Sequence, residues 1–168
     1  IPQRACKGII LCTDWSKAEE VFTSETEGAT QGKLWKWIPK DSFVRRDTAH
    51  NGHICKITIK SIWGGESSLY LDTVAGFKLN DQRGESSWYD FIHVDEPIPE
   101  AMWKAYSRGL IDTNGKAWFT CTPLREPWIN KFFLPTNRHK LDDANANFFG
   151  EHRVVLVGKS TDNPYVSK

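Results

Sequence analysis

Apolar residues recur along this chain in short runs separated by polar, turn-rich segments, and the spacing within the runs shifts between a strand period and a helix period. Gly8 to Thr13 (GIILCT) is the first run and predicts a strand. Ser16 and Glu19 then form an S-x-x-E capping box, which predicts a helix carrying Trp15, Ala18, Val21 and Phe22 on one side. Leu34, Trp35, Trp37 and Ile38 end at Pro39 and predict a short packed turn or helix. From His53 to Ile62 the alternation has a period of two, with Ile57 and Ile59 on one face and Lys56, Thr58 and Lys60 on the other. Gly64 and Gly65 turn the chain, and Ser68 to Thr73 (SLYLDT) alternates again, so the two segments predict a hairpin.

Asn80 to Ser87 reads as a polar loop before Phe91, Ile92, His93 and Val94, a run apolar enough for a central strand buried on both faces. Pro97 and Pro99 suit the first turn of a helix in which Ile98, Ala101, Met102, Ala105, Tyr106 and Gly109 recur at three-to-four spacing. Asn114-Gly115 reverses the chain into a further core strand, Ala117 to Thr122 (AWFTCT), and Val154 to Val157 predicts another near the end. Apolar strands separated by helices argue for an α/β fold with a mostly parallel sheet flanked by helices and an added β-hairpin.

Composition narrows the function classes. With 22 basic and 21 acidic residues the net charge is +1, so no overall field draws the chain to nucleic acid or lipid, and any DNA contact requires a local patch. Basic residues are scattered, as Lys33, Lys36 and Lys40, Arg45 and Arg46, and Arg125, Lys131, Arg138 and Lys140, a pattern typical of solvated faces. The apolar runs fall far short of the roughly 20 residues a membrane-spanning helix needs, so no membrane partner is expected. Cys6, Cys12, Cys55 and Cys121 form no CxxC pair and sit in or beside apolar runs, which reads as reduced thiols in a reducing, cytosol-like compartment. Eight tryptophans fill a core of large side chains, or in part supply a base-stacking surface.

Ligands of open parallel sheets sit at the carboxyl ends of the strands, which directs attention to polar residues that end an apolar strand. Asp95-Glu96 follows Phe91–Val94. One carboxylate there can hold Mg²⁺, often through water, and its neighbour can orient a water against a terminal phosphate; the same pair also suits the N-terminal dipole of a helix. Thr120 and Thr122, two apart and hence on one face of the next strand, can sense a phosphate or merely satisfy a strand end. The order strand, Asp-Glu, helix, strand, Thr-x-Thr is what a nucleotide-hydrolysing sheet requires.

At this point the sequence resembles the large terminase subunits of tailed bacteriophages, the ATP-driven motors that pump DNA into procapsids. FIHVDEP (residues 91–97) is similar to their Walker B segment, and TCTPL (residues 120–124), with Trp128 close behind, to their coupling motif. Thr161-Asp162-Asn163-Pro164-Tyr165 resembles the DNPY/DNPF-type signature that follows their ATPase sheet, and Arg83-Gly84 an Arg-Gly pair that supplies an arginine to a neighbouring subunit. The resemblance covers roughly residues 8–168 and is most specific between Gln82 and Trp128.

The resemblance implies a P-loop NTPase-like sheet of the RecA/ASCE type, ATP and Mg²⁺ as cofactors, and hydrolysis coupled to translocation of double-stranded DNA. Asp95 would hold the metal, Glu96 and Arg83 would be catalytic, and Thr120 and Thr122 would relay the state of the γ-phosphate. It further implies a portal protein and a small terminase subunit as partners, a homo-oligomeric ring, and the cytoplasm of a bacterial host. Residues 1–150 would be a partial ATPase domain and 151–168 its last strand and the start of a linker toward a nuclease domain. Two departures stand out. His93 occupies a position usually apolar, which suggests a core histidine bonded to a neighbour. The phosphate cradle G-x-x-x-x-G-K-[ST] is missing from the sequence: Gly158-Lys159-Ser160 would put the motif's first glycine on Arg153, and Asn163-Pro164 cannot open a helix. The expectation is therefore an N-terminally incomplete sheet whose cradle precedes Ile1, in a chain that alone hydrolyses ATP poorly. A helicase-like ATPase half and a non-enzymatic, aromatic-rich nucleic-acid-binding module remain open as alternatives.

Overall fold

The computed structural model describes residues 4–26, 31–49, 51–77, 87–121, 127–133, 148–149 and 154–155. The chain divides into two compact units, Ile1–Thr122 and Pro123–Lys168.

In the first unit six strands form one sheet: β1 (Lys7–Cys12), β2 (Phe43–Thr48), β3 (Ile54–Lys60), β4 (Glu66–Thr73), β5 (Phe91–Asp95) and β6 (Lys116–Thr120), in the order β2-β3-β4-β1-β5-β6. β4, β1, β5 and β6 run parallel, while β2 and β3 add antiparallel at one side. The fold is thus mixed α/β with a mostly parallel sheet. The expected hairpin is β3–β4, but it is not an appendage, because β4 pairs in parallel with β1 and so belongs to the central sheet.

β1 is buried from Gly8 to Cys12, as a strand with neighbours on both edges and cover on both faces should be. One face carries the cluster Ile10, Cys12, Ala18, Phe22 and Leu71. Ala18 ends helix α1 (Trp15–Ala18), which continues as a π turn over Glu19–Thr23, and the short helix α2 (Lys33–Trp37) adds Leu34. Helix α3 (Glu100–Ser107) covers the opposite face, with Trp103 against Phe119 of β6 at 5.0 Å and the Tyr106 hydroxyl donating to the buried Asp72 of β4. In β5, Ile92 and Val94 are fully buried, and withdrawing each from water stabilises the fold by about 1.5–3 kcal/mol.

Several expectations need correction. The cap of α1 is Asp14, not Ser16: its carboxylate accepts the Lys17 N–H at 2.8 Å, a charge-assisted cap that outcompetes the serine hydroxyl two residues on. Ala101 of α3 is exposed and Trp103 takes a core place instead, because the larger ring reaches β6. β5 is fully buried only through Ile92 and Val94, while Phe91, His93 and Asp95 are half-buried. β6 is not a core strand: among the described residues it forms the outer edge of the sheet, with Trp118 45% exposed. β2 was not foreseen, since FVRRDT carries charges on both faces, as an edge strand can.

The second unit contains α4 (Pro127–Phe133) and the strands β7 (Phe148–Phe149) and β8 (Val154–Val155). β7 and β8 pair antiparallel in a two-stranded sheet of their own, so Val154-Val155 does not extend the six-stranded sheet.

Candidate functional site

The parallel register decides what meets at the carboxyl rim. β5 and β6 pair with His93 opposite Trp118 and Asp95 opposite Thr120, so these four side chains share one face. On the other side of β5, Leu11 of β1 lies level with Val94, which brings Cys12 close to the level of Asp95.

The Thr120 hydroxyl donates to Asp95 Oδ1 at 3.0 Å and lies 2.8 Å from His93 Nε2. A threonine has a single hydroxyl proton and this one goes to the carboxylate, so the imidazole bond runs from His93 Nε2–H to Thr120 Oγ1. The three residues form a one-way chain of donors ending on Asp95, which leaves Oδ2 of that carboxylate for another partner. His93 is stacked on Trp118 at 5.3 Å and meets the edge of Phe22 at 5.8 Å. Burial lowers its pKa; the Asp95 carboxylate opposes that shift and Lys33 adds to it. A neutral imidazole with its proton on Nε2 fits both the direction of the shift and the hydrogen bond. The expectation of a histidine bonded to a neighbour is met, and that neighbour is the threonine of the Thr-x-Thr segment.

Glu96 is exposed and has φ +70°, in the left-handed half of backbone space that a residue with a Cβ enters at a cost of about 1–2 kcal/mol. Its N–H still donates to the Thr120 carbonyl at 3.0 Å, so the sheet ladder runs one residue past the strand while the backbone turns sharply there. Unusual backbone of this kind concentrates at functional sites, where surrounding contacts hold it in place.

Two thiols record the charge of the rim. Burial, then Asp95 and Asp14, push Cys12 up to about 12, and burial, then Glu96 and Asp95, raise Cys121. All four cysteines are free, and Cys12 is packed in the core as a small hydrophobe. Arg83 and Thr122 lie outside the described residues, as does the 161–165 segment.

Asp95, Glu96 and Thr120 thus come together at one rim of one sheet. Sequence reasoning missed the role of His93 in orienting Thr120; its signal was an imidazole two residues before a carboxylate, on the same face of a strand. Among the described residues no group of three or more His, Cys, Asp or Glu could cage a metal ion. A single carboxylate oxygen suits Mg²⁺, which binds through one or two carboxylates while retaining water and phosphate oxygens. A concavity of about 350 Å³ lies elsewhere, near the Thr48 and Ile54 ends of β2 and β3. Its polar groups are largely engaged with one another, Glu19 with His53 at 2.7 Å and Glu25 with Arg46, so its arginine is not free for a phosphate and it carries less chemistry than the rim. Comparison with protein-family models, with curated proteins and with solved structures finds no match for this chain.

Proposed function

We propose that the six-stranded sheet is part of the ATPase of a DNA-packaging motor of the large terminase type, with Mg²⁺-ATP engaged at the carboxyl rim of β5 and β6. The observation that carries this reading is the hydrogen bond from Thr120 to Asp95 across two adjacent parallel strands, with Glu96 turned out of the next position. In that role Asp95 offers its remaining oxygen to the metal, which when bound neutralises phosphate charge. Glu96 orients a water and takes up its proton. Thr120, whose hydroxyl proton goes to Asp95, responds to the terminal phosphate through that carboxylate, with Thr122 and Arg83 as the further candidates from sequence. His93 holds the threonine's acceptor side and so fixes which way its proton points.

The phosphate cradle is not in the 168 residues. The outer edge of β6 has no strand paired to it among the described residues, and a strand leading into a cradle would find its ladder partner there. Partners in this reading are double-stranded DNA, a portal protein and a small terminase subunit, around a ring of copies.

Titration with Mn²⁺-ATP, followed by paramagnetic broadening of backbone amide signals, tests the site even at weak affinity. The reading expects broadening at Asp95, Glu96 and Thr120 that Asp95→Asn removes. Broadening centred elsewhere, or unchanged in that variant, would overturn it.

A further inference from the structure

The two ends of the sheet differ in chemistry. The carboxyl rim carries Asp14, Asp95 and Glu96, whereas the amino rim, where β1, β4, β5 and β6 begin, carries Lys60 and Lys116 with exposed rings, and its acids are engaged, Glu66 with Arg45 at 3.7 Å and Asp90 with Arg4. The register fixes this end: Lys7 starts β1, Lys116 starts β6 opposite Phe91, and Lys60 pairs with Glu66 at the turn that leads into β4. That turn presents Trp63 at 53% exposure, and the segment before β5 presents Trp88 at 45%. Both rings are too large and too open to be explained by the core. Gly64 and Gly65, at φ +87° and +76°, supply the backbone the Trp63 turn needs, and the Trp63 N–H is held by Ser61 Oγ at 3.2 Å. Trp88 is held by cations on its ring, Lys7 at 5.3 Å and Arg4 at 5.8 Å, while nearly half its surface stays open. Arg4 is anchored in turn by the buried Asp90 carboxylate.

Open aromatic rings beside lysines at the end of a sheet match what single-stranded nucleic acid requires: π faces on which unpaired bases stack, and cations near the phosphates. A duplex hides those base faces, so the rings favour the single strand. Neighbouring strands stand about 4.8 Å apart. The row from the β3–β4 turn to β6 therefore spans several nucleotides of an extended strand. The acidic opposite rim repels the same polyanion, which gives the domain a preferred side.

We propose that the amino rim of the sheet, built on Trp63, Trp88, Lys60 and Lys116, with Lys7 held among the rings of Tyr70, Trp88 and Tyr89, is a binding surface for single-stranded nucleic acid. It is independent of the nucleotide reading, because it lies at the other end of the strands.

Fluorescence anisotropy of the full chain with labelled oligo-dT and with a duplex of equal length tests it across a salt series. The expected result is tighter binding of the single strand, weakened roughly five- to hundred-fold by Trp63→Ala. Lys60→Glu and Lys116→Glu should weaken binding and flatten the logarithmic salt dependence by about 0.7 for each phosphate no longer neutralised, or more with the added repulsion. Lys17→Glu, an equal charge change on exposed α1, should leave affinity nearly unchanged. Equal or tighter duplex binding, no effect of Trp63→Ala, or an equal weakening by Lys17→Glu would each overturn the proposal. So would a Trp63→Ala effect confined to self-association in sedimentation, which would make the rim a protein interface.

Discussion

Replacing Glu96 by glycine and, in parallel, by alanine separates the backbone contribution of this residue from its carboxylate. Both changes remove the exposed charge, and neither touches the N–H bonded to the Thr120 carbonyl. Alanine keeps the Cβ and therefore the cost of φ +70°, about 1–2 kcal/mol, whereas glycine escapes it but loses roughly 0.5–1 kcal/mol to the greater freedom of its unfolded chain. Glycine should therefore be more stable than alanine here by about 0.5–1 kcal/mol. At an ordinary backbone angle the order is the reverse, so the sign alone is decisive. Urea unfolding monitored by tryptophan fluorescence resolves it: with a slope near 2 kcal/mol/M, the glycine variant's midpoint should lie about 0.3–0.5 M above the alanine variant's. If alanine matched or exceeded glycine, Glu96 would carry no backbone strain, and the argument that its carboxylate is held out at the rim for a task would fail.

Two further outcomes follow from the same geometry. Thr120→Val removes the hydroxyl that joins His93 to Asp95; with one of the two broken bonds going to a carboxylate, and water able to replace part of it at this exposed position, unfolding stability should fall by about 1–2 kcal/mol, measured by the same urea assay. His93 has a lowered pKa in the folded chain, so below its unfolded value of about 6.5 the unfolded chain binds the proton more readily and stability rises with pH. Its contribution is complete above about pH 6.5 and is lost as pH falls toward and through the lower folded value. Midpoints measured from pH 8 to pH 5 should show this loss, His93→Gln should reduce it, and an imidazole titration seen by NMR above 6.5 would contradict it.

How much of this was legible in the sequence depended on whether a feature was local. Strands β1 and β5 were readable because GIILC and FIHV follow from burial, and the hairpin β3–β4 because its side chains alternate around Ile57 and Leu69, although Thr58, expected on the polar face, is buried beside Ile57. β2 was not, because Arg45 and Arg46 fall on opposite faces and erase the alternation. AWFT looked like core because its composition is apolar, but exposure depends on which strand lies beyond it, which no local pattern records. The carboxyl pair and the Thr-x-Thr segment were visible as separate motifs. Their union required the parallel pairing of β5 with β6 in one register, and a shift of one residue would have put Thr120 on the face opposite Asp95. The left-handed turn at Glu96 had no signal, since glutamate is not a residue chosen for that conformation.

On the proposed function, the Asp95–Thr120 rim would serve ATP hydrolysis once a phosphate cradle completes it. ATP turnover by a form of the protein that carries a phosphate cradle, set beside that of the 168-residue chain, decides it. The expected result is Mg²⁺-dependent hydrolysis that Glu96→Gln reduces by at least a hundred-fold, about 2.7 kcal/mol in the barrier, and little or no hydrolysis by the 168-residue chain alone. Turnover that is unchanged by Glu96→Gln, or none in the form that carries a cradle, would refute it.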